Sequence, residues 1–285
     1  MSAAPAAVRR RKSRPNYLLS AVAILASLVV FVVPFVFIVL TALKDRRQAA
    51  EFDFSWPEQF RLVQNLVAVV RARDYLLIIA YINSTILTVA SVTIMAVASA
   101  MVAYVLQRRR SRWNGFINFL VLSGLIIPPA VVPTIWVLQR LGLFRTMPGL
   151  ILVEVAFGLA FCVLLFQAFI ATIPRELDEA AVIDGAGPVR LFFQVILPLL
   201  RPVIVTVVLV QSVFVYNDFV NPLYFLPGTE NATVQLTLFN FQSQFNTRWN
   251  LLFADVLLIT VPPLIMFLAF NRQIVAGMTA GAVKG

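Results

Sequence analysis

The stretch ELDEAAVIDGAGPVRLFFQVILP, residues 176–198, is acidic at its start, contains glycine and proline, and lies between two long apolar runs. Pro174 suits the first turn of a helix, and the acidic side chains after it lie where the helix dipole favours negative charge. Gly185 can end this helix in a left-handed conformation, and the next residues turn the chain before a second amphipathic piece at 189–196. The pattern therefore predicts a helix-turn-helix between two apolar segments.

The helical register of this stretch predicts a flat outward face. Leu177, Ala180, Ala181 and Asp184 fall at i, i+3, i+4 and i+7, so they share one side of the helix. The two alanines are small enough for another surface to approach closely. The register alone leaves two interpretations open, a docking surface for another protein and an ordinary solvated loop between two spans.

The chain as a whole has the composition of a membrane protein. Of its 285 residues, 60% are hydrophobic and 13% are charged, whereas soluble domains are about half apolar and about a quarter charged. The net charge of +10 could indicate a nucleic-acid partner, but cationic loops beside an anionic membrane surface explain it more simply. We therefore expect membrane lipid as a partner and no nucleic acid.

Residue types that many enzymes require are missing from the sequence. There is no histidine and the only cysteine is Cys162, so histidine-based catalysis, the usual zinc sites and an intramolecular disulfide lack their ordinary residues. No GxxxxGK[ST] phosphate loop is present, so a nucleotide would have to bind a separate polypeptide. We predict no catalytic, metal or cofactor site in this chain.

Six apolar runs are each long enough to cross a bilayer, since about 20 helical residues cover a hydrocarbon core of about 30 Å. They are residues 18–43, 75–106, 116–138, 149–172, 203–226 and 251–270. The first run is too long for the apolar core of a signal peptide, which has about 7–15 residues, and is interpreted as an anchor. The sequence thus predicts an all-α polytopic membrane protein with six transmembrane helices.

Lys and Arg are more frequent in the connections on one side of these runs than on the other. The positive-inside rule then places both termini and the segment 174–198 in the cytoplasm. The predicted layout is a basic N-terminus, a first transmembrane helix acting as a peripheral arm, an extracytoplasmic loop, a core of five transmembrane helices that contains the segment 174–198, and a cytoplasmic tail. These parts are residues 1–17, 18–43, 44–74, 75–270 and 271–285.

The spacing in the opening stretch resembles the EAA loop of binding-protein-dependent ABC importer permeases. The match consists of Glu179-Ala180-Ala181, then Gly185, then the run VILP at 195–198, with valine where isoleucine is usual. The resemblance implies a coupling helix that docks into a groove of a cytoplasmic ATPase subunit, with Glu179 paired to a basic residue, both alanines packed into the groove and Gly185 setting the turn. The coupling residues it implies are Glu179, Ala180, Ala181, Asp184, Gly185, Leu197 and Pro198.

Two further stretches resemble carbohydrate permeases of the maltose-transporter type, and so imply the type I ABC importer fold. YNDFVNPLYFLPG, residues 216–228, is similar to their fifth span, although Tyr216 stands where tryptophan is usual. RQIVAGMTAGAVKG, residues 272–285, is similar to their tail, which reaches between two ATPase subunits; a flexible end is the alternative. The tail residues implied to contact the ATPases are Gly277, Thr279, Gly281 and Lys284.

Polar residues within the spans are candidates for a substrate pathway, because they are costly in hydrocarbon. Glu154, Asp218 and Asp255 are expected near the outer ends of their spans, where they line a polar vestibule or face headgroups. The pathway candidates are Asn83, Gln211, Asn217 and Asp218. The prolines at 128, 129, 133, 262 and 263 are expected to kink or break the third and sixth spans.

The outer loop at residues 233–250 mixes amides with aromatic side chains. By resemblance it faces an extracytoplasmic binding protein, with Phe241, Phe245 and Trp249 as contacts; an interfacial aromatic belt is the alternative.

The function implied is that of a permease subunit of an ATP-driven carbohydrate importer in the prokaryotic plasma membrane. The expected assembly adds a second, homologous permease subunit, two ATPase subunits that bind ATP and Mg, and a sugar-binding protein, and it works by alternating access. The alternatives are an ABC permease for another solute, such as a polyamine or phosphate, an ion-driven secondary transporter or channel, and a purely structural membrane subunit.

Overall fold

The structure is a computed structural model that describes residues 17–243 and 246–282, with side chains for residues 20–243 and 246–270. Within these ranges every regular element is helical. The elements are α1 (Tyr17–Leu43), α2 (Arg46–Ala49), α3 (Leu62–Arg108), α4 (Asn114–Ile126), α5 (Val131–Arg140), α6 (Met147–Ile170), α7 (Glu176–Ile183), α8 (Pro188–Arg190), a π-helical turn (Leu191–Ile196), α9 (Leu197–Leu199), α10 (Arg201–Asn217), α11 (Val220–Phe225), a 3-10 helix (Val234–Asn240) and α12 (Trp249–Ala282). The all-α prediction is therefore confirmed for the described residues.

Four of these helices, α1, α3, α6 and α12, are long and apolar enough to cross a membrane. A fifth span results if Pro188–Leu199 and α10, which meet at a bend of 76°, are counted together. The predicted third span, 116–138, is instead two short helices, α4 with 13 residues and α5 with 10. The longest helix, α3, has 47 residues and is divided by non-helical backbone at residues 72–75.

Proline explains the break between α4 and α5. Pro128 and Pro129 lack the N–H groups that would continue the helix, and α4 closes with Ile127 N donating to Ser123 O at 2.9 Å. The break predicted for this run is confirmed. At the other predicted site the backbone behaves differently, because α12 continues unbroken through Pro262 and Pro263.

The core lies along α3, which packs against α1, α6, α10 and α12. Small side chains on α3, including Ala96, Ala100 and Ala103, are buried in one cluster with Val163 and Phe166 of α6. Small residues let two helix backbones approach closely, which is how helices associate where there is little hydrophobic drive between them. This cluster reaches the last turn of α3, and we call that end of the molecule the Arg108 end.

At the opposite end, Lys44 follows α1, and we call this the Lys44 end. Lys44 is 1% exposed and its Nζ lies 2.7 Å from Asp53 Oδ1. Asn65 Nδ2 donates to the carbonyl oxygens of Ala42 and Lys44, both at 2.9 Å, and Asn65 Oδ1 accepts from Asn250 Nδ2 at 2.9 Å. These bonds join the end of α1 to the starts of α3 and α12.

Most of α1 is uncovered by the rest of the chain. Its apolar side chains, among them Ile24, Leu25 and Phe31, are exposed, and burial begins only near Thr41. A contiguous apolar surface of this kind requires lipid or another protein against it.

Candidate functional site

The segment after α6 folds as the sequence predicted, with α7 ending in a left-handed glycine. Gly185 has φ +82°, its N–H donates to Val182 O at 3.0 Å, and Ala186 N donates to Ala181 O at 2.9 Å. This pair of bonds is the Schellman arrangement, which satisfies the last carbonyls of a helix. Glu176, the first residue of α7, and the next acids lie in its first turn, where the dipole favours them.

The two alanines of α7 do not share one environment. Ala180 is exposed, whereas Ala181 is 9% exposed and belongs to the buried cluster that includes Leu191, Phe192 and Ile196 of the following π-helical turn. The expectation that Ala181 faces outward is therefore wrong. The turn at Gly185 folds the second half of the segment back over this side of α7, so Ala181 packs inward.

The segment also exposes aliphatic side chains that the prediction did not include. Val182, Ile183 and Val189 are 58%, 85% and 72% exposed, and we call these three residues the docking face. Glu179 and Asp184 are exposed on the same segment. Sequence reasoning overlooked the docking face because it followed the alanines, although two consecutive aliphatic residues before a helix-ending glycine were a readable signal.

An ion pair attaches α7 to the end of α3. Arg108 Nε lies 2.6 Å from Asp178 Oδ2, and both side chains are largely buried. Arg108 Nη2 also donates to Ile173 O at 2.9 Å, and Arg175 Nη2 donates to Gln107 O at 3.1 Å. Arg108 was not among the predicted functional residues, so the sequence did not predict this contact.

Electrostatics indicates that the ion pair positions α7 more than it stabilises the fold. Burial raises the pKa of the Asp178 carboxyl, although Arg108 and Arg175 both act to lower it. Desolvation is the largest of these effects, and the nearby Glu179 also raises the pKa of Asp178. What the pair provides is a defined geometry between α3 and α7.

The segment returns to the membrane helices through the predicted residues Leu197 and Pro198. Ile196 is fully buried, Leu197 is half-buried, and Pro198 is exposed in the first turn of α9. The bend of 76° between Pro188–Leu199 and α10 follows directly. The coupling segment is thus a compact unit held by α3 on one side and continuous with α10 on the other.

A cavity of about 810 Å³ lies beside α6, α10 and α11. It contains three of the predicted pathway residues, Gln211, Asn217 and Asp218, together with Glu154. The other lining residues are Phe157, Gly158, Phe161, Val213, Phe214, Val215, Phe219, Val220 and Asn221. The fold therefore brings acids, amides and aromatic rings to one wall.

Glu154 and Asp218 are each placed by hydrogen bonds. Glu154 is 6% exposed, and its Oε1 accepts from Asn221 Nδ2 at 3.2 Å. Asp218 Oδ1 accepts from the backbone N–H groups of Val220 at 2.8 Å and Asn221 at 3.2 Å, which caps α11. The break between α10 and α11 thus places Asp218 at the cavity, and Asn221 of α11 holds the carboxyl group of Glu154, which lies on α6.

Two other polar residues have structural positions away from this cavity. Asn83 Nδ2 donates to the carbonyl oxygens of Glu230 and Ala232, at 3.2 and 3.1 Å, so it holds the loop after α11. Asp255 is fully buried and accepts from Thr237 Oγ1 at 2.9 Å, which anchors the 3-10 helix to α12. Asn83 is therefore not in the lining of this cavity, and its place on a substrate pathway stays a prediction.

The aromatic residues proposed to contact a binding protein are not one exposed group. Phe241 is buried, contrary to the prediction, and Trp249 is half-buried with its ring 4.3 Å from that of Phe52. Phe245 lies outside the described residues. More exposed rings at the Lys44 end are those of Trp56 and Phe60, which the sequence had not singled out.

The tail residues are described only in part. The backbone of α12 continues to Ala282 and includes Gly277, Thr279 and Gly281, whose surroundings are not described. Lys284 lies outside the described residues.

Comparison with known proteins gives one consistent family. Residues 95–279 match the family described as binding-protein-dependent transport system inner membrane component. The chain is 33% identical over 208 residues to the melibiose/raffinose/stachyose import permease protein MelC of Bacillus subtilis (strain 168), covering 72% of this chain and 75% of that protein. It is 31% identical over 271 residues to AmyC, the probable starch degradation products transport system permease protein of Thermoanaerobacterium thermosulfurigenes, covering 94% and 97%.

The fold is also similar to that of a chain in the crystal structure of a bacterial ABC transporter involved in the import of the acidic polysaccharide alginate. The TM-score is 0.78 at 20% sequence identity, covering 92% of this chain and 98% of that one. A second crystal structure, of a bacterial alginate ABC transporter in complex with an alginate pentasaccharide-bound periplasmic protein, gives a TM-score of 0.66 at 16% identity, covering 90% and 92%. With its several apolar spans, the chain belongs to the binding-protein-dependent transport system inner membrane components and is a multi-pass membrane protein.

Proposed function

We propose that this chain is a permease subunit of an ABC importer that carries a carbohydrate across the prokaryotic plasma membrane. Family membership supports the transport role, and relatives named for melibiose, raffinose, stachyose and starch degradation products support a carbohydrate cargo. In this proposal the chain itself performs no catalysis and holds no cofactor.

The proposed topology has six spans with both termini in the cytoplasm. Helices α4 and α5 together form the third span, and α10 with α11 forms the fifth. Contacts at the two ends of the molecule agree with successive spans that run in opposite directions. At the Lys44 end, Arg61 N donates to Leu43 O at 2.9 Å. At the Arg108 end, Arg108 Nη2 donates to Ile173 O, which follows α6. The Arg108 end is then cytoplasmic and the Lys44 end extracytoplasmic.

The observation that carries the coupling mechanism is the exposed docking face on a segment anchored to α3. Val182, Ile183 and Val189 present aliphatic side chains on what the proposed topology makes a water-facing surface, where a partner gains by covering them. Glu179 lies near this face and would pair with a basic residue of the ATPase. Closure of two ATPase subunits around ATP and Mg would then move α7 as a lever.

Movement of α7 would reach the membrane helices by two routes. One is the Arg108–Asp178 ion pair to α3, and the other is the continuous chain into α10, which lines the cavity. Rocking of these helices would open the cavity alternately to the two sides. The uncovered surface of α1 would face lipid and a second, homologous permease subunit, and the tail would reach the ATPases.

Purification of the chain with the ATPase subunits and the binding protein encoded for the same system tests this proposal. We expect a stable complex whose ATP hydrolysis is stimulated by the binding protein, and mass spectrometry of the bound ligand should identify a carbohydrate. Failure of any ATPase subunit to co-purify would overturn the coupling mechanism. A polyamine or phosphate as the bound ligand would overturn the carbohydrate assignment.

A further inference from the structure

The ionisable residues that line the cavity beside α6, α10 and α11 are all acidic. Its described lining contains the carboxyl groups of Glu154 and Asp218 and no lysine or arginine. Asn221 joins the two residues: its side-chain Nδ2 donates to Glu154 Oε1 at 3.2 Å, and its backbone N–H donates to Asp218 Oδ1 at 3.2 Å. A cation that would neutralise the pair is therefore not among the residues that form this wall.

Amides and aromatic rings occupy the rest of the wall. Gln211 is 6% exposed and lines the cavity, and its side chain bonds to the Cys162 thiol. A thiol is a weak hydrogen-bonding partner, so this amide keeps donor and acceptor capacity for a ligand. Phe157 and Phe161 supply apolar faces on the α6 side. Apolar rings with a few placed polar groups are the usual composition of a small-molecule site.

Gly158 lets other side chains pack directly against the backbone of α6 behind the cavity wall. A Cβ atom built at Gly158 would clash with the side chain of Met95, which is fully buried, and would lie 3.2 Å from Gln211 Oε1. Met95 and Gln211 therefore pack closely against α6 at this level, so the polar wall is part of a packed surface rather than a set of acids on the outside of a helix.

We propose that this wall selects the charge of the cargo: it passes carbohydrates that carry no acidic group and disfavours uronates and other anionic sugars. This inference rests on the proposed carbohydrate function and adds the substrate class to it. The physical reason is that like charges repel strongly in a partly desolvated site, where the effective dielectric constant is well below that of water. The hydroxyl groups of an uncharged sugar can instead donate to Glu154 and Asp218 and bond to the neighbouring amides.

The charge of the cavity wall can be tested without knowing which sugar is carried, by measuring how fast charged reagents react with a cysteine placed on that wall. Cys162 is replaced by alanine to remove the native thiol, and Val220→Cys places a reporter on the cavity wall two residues from Asp218. The complex with its ATPase subunits is then treated with a cationic and an anionic methanethiosulfonate reagent of similar size. We expect the cationic-to-anionic rate ratio to be at least about tenfold higher than in the same protein with Glu154→Gln and Asp218→Asn.

The amide variants keep the shape of each side chain, and co-purification of the ATPase subunits verifies that they fold. If Val220→Cys does not assemble, Val213→Cys reports on the same wall. An equal rate ratio with and without the two acids would overturn the inference and leave the proposed function intact.

The identity of the bound ligand provides the second readout. A sugar without acidic groups agrees with the inference, whereas a uronate or another acidic sugar overturns it while preserving the carbohydrate function. A ligand that is not a sugar overturns the proposed function itself.

Discussion

The guanidinium Nε of Arg108 lies 2.6 Å from Asp178 Oδ2, where the last turn of α3 meets α7. If this contact transmits movement, Arg108→Gln should lower the amount of solute transported per ATP hydrolysed in the reconstituted complex, because α7 can then tilt without moving α3. The same change leaves a largely buried carboxylate without its cation, so we also expect a loss of about 1–3 kcal/mol in the free energy of unfolding.

Two variants calibrate this result. Arg109→Gln removes an exposed charge next to Arg108 and should change neither quantity. Asp178→Asn should destabilise less than Arg108→Gln, because Arg108 keeps its bond to Ile173 O and the desolvated carboxylate is gone. An unchanged coupling ratio in Arg108→Gln would show that α7 drives the spans through α10 alone.

Ile183 is the side chain on which ATPase docking should depend most, since it is 85% exposed on the proposed cytoplasmic surface. Burial of an isoleucine side chain contributes about 1.5–3 kcal/mol, so Ile183→Asp should weaken binding of the ATPase subunits by about tenfold to a hundredfold. Titration of the detergent-solubilised permease with purified ATPase measures this affinity. The thermal stability of the isolated chain should stay close to that of the wild type.

Ile183→Leu is the matched control, because it preserves the apolar area and should retain binding. Ala181→Asp makes the opposite comparison: Ala181 packs against the chain's own core, so this change should destabilise the permease itself. Undiminished ATPase binding by Ile183→Asp would remove the docking face from the coupling mechanism.

Local signals in the sequence were enough to predict several parts of this architecture. Gly185 ends α7 because the turn there needs a left-handed backbone conformation, which glycine adopts readily. Pro128 and Pro129 break the third apolar run because neither has an N–H to donate. Such signals act within a few residues of chain. They therefore predicted the break and the helix-turn-helix without knowledge of the packing.

The direction in which a side chain points depends on partners far away along the chain, and here the sequence failed. Ala181 is turned inward by the π-helical turn, Asn83 is held by the loop after α11, and Phe241 is covered in the core at the Lys44 end. Arg108 and Asp178 meet only because α3 and α6 pack side by side. Without knowledge of how the helices pack, the sequence could not show whether these side chains face the core, water or lipid.

Two glycines of α6 should differ sharply in their tolerance of a methyl group. A Cβ atom at Gly149 would meet the backbone carbonyl group of Leu143, whereas at Gly158 it would meet mainly the flexible end of Met95. The backbone of Leu143 cannot move aside, whereas the thioether end of the Met95 side chain can. We therefore expect Gly149→Ala to lower the free energy of unfolding by about 1–3 kcal/mol, and Gly158→Ala to lower it clearly less. Thermal unfolding in detergent compares them, with Gly115→Ala as a control because nothing lies within 4 Å of its added Cβ. A larger loss at Gly158 than at Gly149 would contradict this packing.

The pair formed by Lys44 and Asp53 should give the Lys44 end a specific response to acid. The hydrogen bond from Lys44, with further bonds from Ser55, lowers the pKa of Asp53 from 3.8 to about 2. A carboxyl whose pKa is lower in the folded state stabilises the fold above its unfolded pKa and loses that contribution as pH falls through the folded value. The stabilisation should therefore be complete above about pH 4 and disappear towards about pH 2.

Asp53→Asn tests this window, because asparagine keeps the shape of the side chain and removes its charge from Lys44, which is 1% exposed. We expect the variant to melt at a lower temperature than the wild type at pH 7, and the difference between the two to narrow between about pH 4 and pH 2. Glu58→Gln is the control: Glu58 lies 3.4 Å from Arg47 with both side chains mostly exposed, so its removal should leave the melting temperature unchanged. A difference between Asp53→Asn and wild type that stays constant from pH 7 to pH 2 would mean that the Asp53 charge does not hold this loop against α1.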